Sequence, residues 1–91
     1  MDRGAKIAVV GAAGAVGQEI LSALLDRGYP SQQITALGSE RSEGDEIGFG
    51  DDTIPVEKAG PDSFRGIDLA LIAAPPEVAR PLALSAQGAG A

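Results

Sequence analysis

The chain has 91 residues, a net charge of −6, 44% hydrophobic residues and neither cysteine nor histidine. That excludes a disulfide framework, a zinc–thiolate site, a thiol nucleophile or an imidazole base within these residues, and the acidic balance argues against nucleic acid or an anionic membrane as partner. Tyr29, Phe49 and Phe64 are its aromatic residues, too few for a base-stacking platform, so Ala, Val, Ile, Leu and Gly must fill the core.

Residues 5–10 form a continuous apolar run rich in β-branched side chains, which predicts a central parallel strand covered on both faces. The strand runs into Gly11-Ala12-Ala13-Gly14-Ala15-Val16-Gly17, a glycine-punctuated turn that opens a helix. Gly11 lets the chain turn off the strand, Gly14 removes a Cβ that would keep a phosphate from the main chain, and Gly17 lets the helix lie close to the sheet. Amides at a helix start, backed by the positive end of the helix dipole, attract an anion, so a dinucleotide is the first ligand to consider. The spacing is Gly-x-x-Gly-x-x-Gly, and a purely structural turn is the plainer alternative. The helix is predicted over 14–27, with Val16, Ile20 and Leu24 as its apolar stripe and Leu21 and Leu25 alongside. Gly28 supplies a left-handed stop and Pro30 prevents continuation.

Residues 34–38 read as a second strand and 39–44 as a polar loop. Segments 46–49 and 53–56 suit a small hairpin across Gly50-Asp51-Asp52, and 61–65 one helical turn. Residues 67–74 form another apolar strand, broken by Pro75-Pro76, and a helix is predicted over 80–87 with Pro81 in its first turn. This alternation implies an α/β fold, Rossmann-like and doubly wound, on a mainly parallel sheet with right-handed crossovers. Residues 1–91 read as one dinucleotide-binding domain, incomplete at its C-terminal end and so a truncated half. The acidic residues between Glu40 and Glu57 read as a solvated loop without calcium-ligand spacing, and no metal is expected. No apolar run suits a bilayer and no signal-peptide pattern precedes Lys6, so a soluble cytoplasmic protein is expected.

Past the second strand, where a nicotinamide-binding fold meets the adenosine ribose, the chain reads Ser39-Glu40-Arg41-Ser42. An acidic residue there suits the 2′-hydroxyl of NAD, and an arginine suits the 2′-phosphate of NADP. Arg41 would make charge-assisted bonds to that phosphate, each worth roughly 1.5–3 kcal/mol, and Ser39 and Ser42 would add neutral donors. NADP is favoured over NAD, with Glu40 turned to solvent; a solvated loop that binds nothing stays open. Ala73 and Ala74 end the last strand, where small residues would admit a nicotinamide ribose or simply stop the strand.

Val-Val-Gly-Ala-Ala-Gly-Ala-Val-Gly-Gln-Glu-Ile-Leu, then Tyr29-Pro30, then Gly-Ser-Glu-Arg-Ser-Glu-Gly, with Ile54-Pro55-Val56, Phe64-Arg65-Gly66-Ile67-Asp68 and Gln87-Gly88-Ala89, closely resemble the amino-terminal part of bacterial aspartate-semialdehyde dehydrogenases. The resemblance covers nearly the whole chain. It implies an NADP-dependent enzyme of amino-acid biosynthesis that reduces β-aspartyl phosphate to aspartate semialdehyde through a thioester, and that forms a homo-oligomer at full length. It also implies that Ala13, Gly14, Ala15 and Val16 contact the cofactor phosphates, and that Arg41 with Ser42 reads the 2′-phosphate. The family's usual Thr is Ala13 here, and its Ser-Ala-Gly-Gly is Ala73-Ala74-Pro75-Pro76. Its nucleophilic Cys and acid–base His have no counterpart in these residues, so no catalytic residue carries over. An N-acetyl-γ-glutamyl-phosphate reductase and a non-catalytic paralogue acting as a binding or assembly module are the alternatives.

Overall fold

A computed structural model describes residues 5–74 and 76–90. Five strands, β1 (Ile7–Val10), β2 (Ile34–Gly38), β3 (Glu46–Phe49), β4 (Asp52–Lys58) and β5 (Leu69–Ile72), form one sheet in the order β3-β4-β2-β1-β5. The β1–β2, β1–β5 and β2–β4 ladders are parallel, and only β3–β4 is antiparallel. Helix α1 (Ala15–Asp26) links β1 to β2, and α2 (Pro76–Gly88) follows β5.

Period-two alternation sends successive strand residues to opposite faces, and two separate cores result. Ile7 and Val9, Ile34 and Ala36, and Ile54 and Val56 pack with Leu21 and Leu24 of α1 on one face. Ala8, Val10 and Leu37 pack with Phe64, Ile67 and Ala86 on the other, where Leu82 of α2 joins them. Helices thus cover both faces of a mainly parallel sheet, the doubly wound α/β arrangement that the strand pattern predicts.

The buried stripe of α1 differs from the predicted one. Gly17, Leu21 and Leu24 face the sheet with Ile20 beside them, whereas Val16 is 60% exposed and Leu25 39%. Close packing at Gly17 decides this rotation, since the helix presses on the Gly11-Ala12 turn through its residue without a Cβ. The helix ends as predicted at Gly28, which has φ +86. Its N–H donates to the Leu25 carbonyl and that of Tyr29 to the Leu24 carbonyl, the paired bonds of a Schellman motif.

Several boundaries depart from the sequence reading. The hairpin turn is only Gly50-Asp51, because Asp52 pairs with Phe49. Gly50 has φ +65 and no other residue type has positive φ among the described residues, the signature of a type II′ turn. Residues 61–66 form successive turns rather than a helix: Ser63 N–H reaches the Gly60 carbonyl and Ile67 N–H that of Phe64. Burial of Phe64 anchors this segment without helical bonding. The last strand is β5, shorter than 67–74, because its ladder with β1 lasts only as long as β1 does.

Helix α2 starts at Pro76, so Pro81 lies inside it and not in its first turn. Pro76 takes the first position, where a missing N–H costs nothing, and the helix runs through Pro81 at the expense of one backbone bond. The predicted break at Pro75 falls outside the described residues. No helix is long and apolar enough to cross a membrane among the described residues.

Candidate functional site

The carboxyl ends of β1, β2 and β5 lie side by side, and the turn after β1 fills the space between them. Gly11 is held from three sides. Its N–H donates to the Leu37 carbonyl of β2 at 2.8 Å, as does that of Ala12 at 3.3 Å, and its own carbonyl accepts from Gly14 N–H at 3.0 Å. On the β5 side, Ala73 N–H reaches the Val10 carbonyl at 2.9 Å. A Cβ on Gly11 would stand 2.2 Å from the Ala73 oxygen, and φ there is +77. A Cβ on Gly17 would stand 2.1 Å from the Gly11 oxygen and 2.7 Å from the Ala12 Cα. These two glycines are therefore required by the protein's own backbone, as the strand–turn–helix reading predicts.

Gly14 is different. It is the N-cap residue of α1 with ordinary extended backbone, and an added Cβ would come no nearer than 3.4 Å to its surroundings. Nothing within the fold demands glycine there, so the space beside it is open. No side chain caps the helix and no acidic residue occupies its first turn. The amides of Ala13, Ala15, Val16 and Gly17 have no backbone acceptor among the described residues, while that of Gly14 is internally paired. Free donors at a helix start with a dipole behind them form an anion site. Gln18 braces the turn by donating its side-chain amide to the Ala13 carbonyl at 3.0 Å.

Beside this turn lies a groove of about 560 Å³, lined by the turn, by the loop after β2, by the end of β5 and by α2. Of the residues singled out from sequence, Gly11, Ala13, Gly14, Ser39, Ser42, Ala73 and Ala74 line it. Ala15, Val16, Gly17 and Arg41 do not. Val16 projects its side chain to solvent, and Arg41 stands exposed in the loop next to Ser42. Ser42 leans over the end of β2, where a Cβ on Gly38 would stand 3.3 Å from the serine Cβ. That loop is folded back on itself, with Ser42 and Glu43 N–H both donating to the Ser39 carbonyl and Gly44 N–H to that of Val56.

Five further lining residues, Val10, Gly38, Ala59, Pro81 and Leu82, were not singled out from sequence as site residues. Gly38 and Ala59 meet because Ala59 N–H donates to the Gly38 carbonyl at 2.8 Å, a consequence of β4 pairing parallel to β2. Strand order carried that information, and a local motif could not. Leu82 reaches the groove from α2, whose start lies earlier than the sequence suggests.

Glu40 does not simply turn to solvent. Its carboxylate accepts from Lys58 Nζ at 2.6 Å across the loop base. That bond and the ammonium charge hold the Glu40 carboxyl below its ordinary 4.5, and the carboxylate in turn raises Lys58 above 10.5. Both side chains are largely exposed, so solvent screens the pair.

The family profile described as semialdehyde dehydrogenase, NAD binding domain, matches residues 6–91. The chain belongs to this family. An aspartate-semialdehyde dehydrogenase of Bacillus subtilis is 43% identical over all 91 residues, and one of Prochlorococcus marinus is 39% identical over 79. The structure of aspartate semialdehyde dehydrogenase II from Vibrio cholerae, solved in complex with ASA, superposes with a TM-score of 0.84 at 34% identity over 93% of this chain and 28% of that one. The chain spans 26% and 23% of the length of the two curated relatives. Membership of this semialdehyde dehydrogenase family supports a nicotinamide cofactor, and the structure fits one: space is open beside Gly14, and the first-turn amides have no backbone acceptor among the described residues.

Proposed function

We propose that this semialdehyde dehydrogenase domain, residues 1–91, grips NADP in preference to NAD for an enzyme that reduces β-aspartyl phosphate to aspartate semialdehyde. One observation carries the reading: the turn into α1, where the Ala13 amide has no backbone acceptor among the described residues, lines a groove that Ser39 and Ser42 line as well. Ala13, Gly14, Ala15 and Val16 would hold the diphosphate through main-chain groups and open space. Ser39, Arg41 and Ser42 would hold the adenosine end, with the Arg41 guanidinium meeting a 2′-phosphate from the groove rim. Ala73 and Ala74 would flank the reacting end. There the cofactor supplies a hydride, and the domain's task is to bind and orient it.

The Bacillus and Prochlorococcus relatives are named as aspartate-semialdehyde dehydrogenases, which supports the substrate class. With neither cysteine nor histidine in its sequence, the chain binds and does not turn over substrate unaided. The test is calorimetric titration of the protein with NADP and with NAD, paired with amide chemical-shift mapping. NADP should bind more tightly, and the Ala13, Ala15 and Val16 amides should move most. Binding that leaves those amides unshifted would remove the site from this turn.

A further inference from the structure

The loop after β2 contains a carboxylate where a phosphorylated ribose is to be read, and the structure shows what becomes of it. Ser39 and Ser42 line the groove, and Glu40 lies between them with Arg41. A free carboxylate at this position would oppose the dianionic 2′-phosphate of NADP and would offer acceptors to the 2′-hydroxyl of NAD. Lys58 stands at the end of β4, directly opposite Gly38 in the β2–β4 register, so it is fixed at the base of the same loop. From there its ammonium takes the Glu40 carboxylate at 2.6 Å, and the nearby Glu43 adds a weaker pull. Arg41 makes no ion pair among the described residues, so with the Glu40 charge engaged by Lys58 it is the uncompensated charge of the Ser39–Ser42 stretch, with the unpaired acids Glu43 and Asp45 following it in the loop.

We propose that Lys58 is a specificity-determining positioning residue: by holding Glu40, it makes the Ser39–Ser42 loop favour a 2′-phosphate over a free 2′-hydroxyl. This rests on the nucleotide reading above, and it assigns Lys58 no contact with the cofactor. Its action runs through Glu40.

The experiment is calorimetric titration of NADP and NAD into the protein, into Lys58→Gln, and into the Glu40→Gln/Lys58→Gln double variant, with Lys58→Arg as the conservative change. Lys58→Gln frees the carboxylate and should weaken NADP by about five- to tenfold while leaving NAD unchanged or tighter, as expected for a screened charge next to a dianion. Removing the carboxylate as well should return NADP to within about twofold of the parent, and Lys58→Arg should retain the preference. NAD affinity serves as the internal control for folding, since loss of structure would weaken both nucleotides together. An NADP:NAD ratio unmoved by Lys58→Gln overturns the proposal. So does a double variant as weak for NADP as Lys58→Gln alone, which would make Lys58 a direct phosphate ligand. A parent protein that binds neither nucleotide overturns this and the functional reading together, whereas NADP binding with an unmoved ratio overturns the role of Lys58 alone.

Discussion

The two ends of the groove are built by opposite means. At the β1 turn the protein uses backbone: Gly11 and Gly17 leave no room for a Cβ, and the open donors are amides fixed by the chain path. At the loop after β2 it uses side chains, with Ser39, Arg41 and Ser42 on an exposed turn and Glu40 tied to Lys58. A site made of backbone cannot be retuned without disturbing the fold. One made of exposed side chains can change ligand preference at little cost to stability. On the proposed reading, binding and selectivity are thereby separated along one groove.

The largest expected effect tests the rigid end. Gly17→Ala gains about 1 kcal/mol in helix propensity, yet its methyl would stand 2.1 Å from the Gly11 oxygen. We expect a net destabilisation of about 3 kcal/mol in urea unfolding, since neither backbone can yield cheaply. A variant as stable as the parent would show that the helix does not press on the turn as described.

Arg41→Ala tests the tunable end. NADP affinity should fall by about 1.5–3 kcal/mol, roughly ten- to hundredfold, with NAD affinity and the unfolding midpoint unchanged. Equal NADP affinity in the variant would remove Arg41 from the site.

Gly14→Ala falls between the two kinds. Its Cβ meets only ordinary contact at 3.4 Å, so stability should change by less than about 1 kcal/mol. Nucleotide affinity should nevertheless drop about tenfold, because the methyl enters the space reserved for the diphosphate. Stability lost in step with affinity would make Gly14 a third structural glycine and erase the distinction.

The smallest effect is the pH response of the exposed pair. Glu40 titrates below its ordinary value, so its contribution is present above about 4.5 and is lost as pH falls through the lowered value. Lys58 titrates above its ordinary value, so its share is present below 10.5 and is lost as pH rises through the raised one. Side-chain NMR titration should show Glu40 ionising below its ordinary value, and Lys58→Gln should move it back toward that value.

How much of this was legible in the chain depends on distance along it. The Gly11–Gly17 turn, the Gly28 stop and β2 could be read because strand period, glycine spacing and helix capping are local. The contact of Gly38 with Ala59 was hidden, since it depends on which strands become neighbours. So was the pairing of Glu40 with Lys58, 18 positions apart. Pro81 misled because two prolines competed for one helix start, and Pro76 holds it. The rotation of α1 was missed for a related reason: apolar spacing favours Val16 and Leu25, but a residue lacking a Cβ determines which side approaches most closely.

The seam between Gly11 and Ala73 has a further consequence for assembly. The β3–β4 hairpin closes across two residues, whereas the first and last strands are joined by pairings such as Lys6 with Asp68, 62 positions apart. Distant closures are entropically costly, so the hairpin should form early and the β1–β5 seam late. A dinucleotide that touches both sides of that seam would then act as a late fastener. Its presence should slow global opening more than it speeds initial collapse.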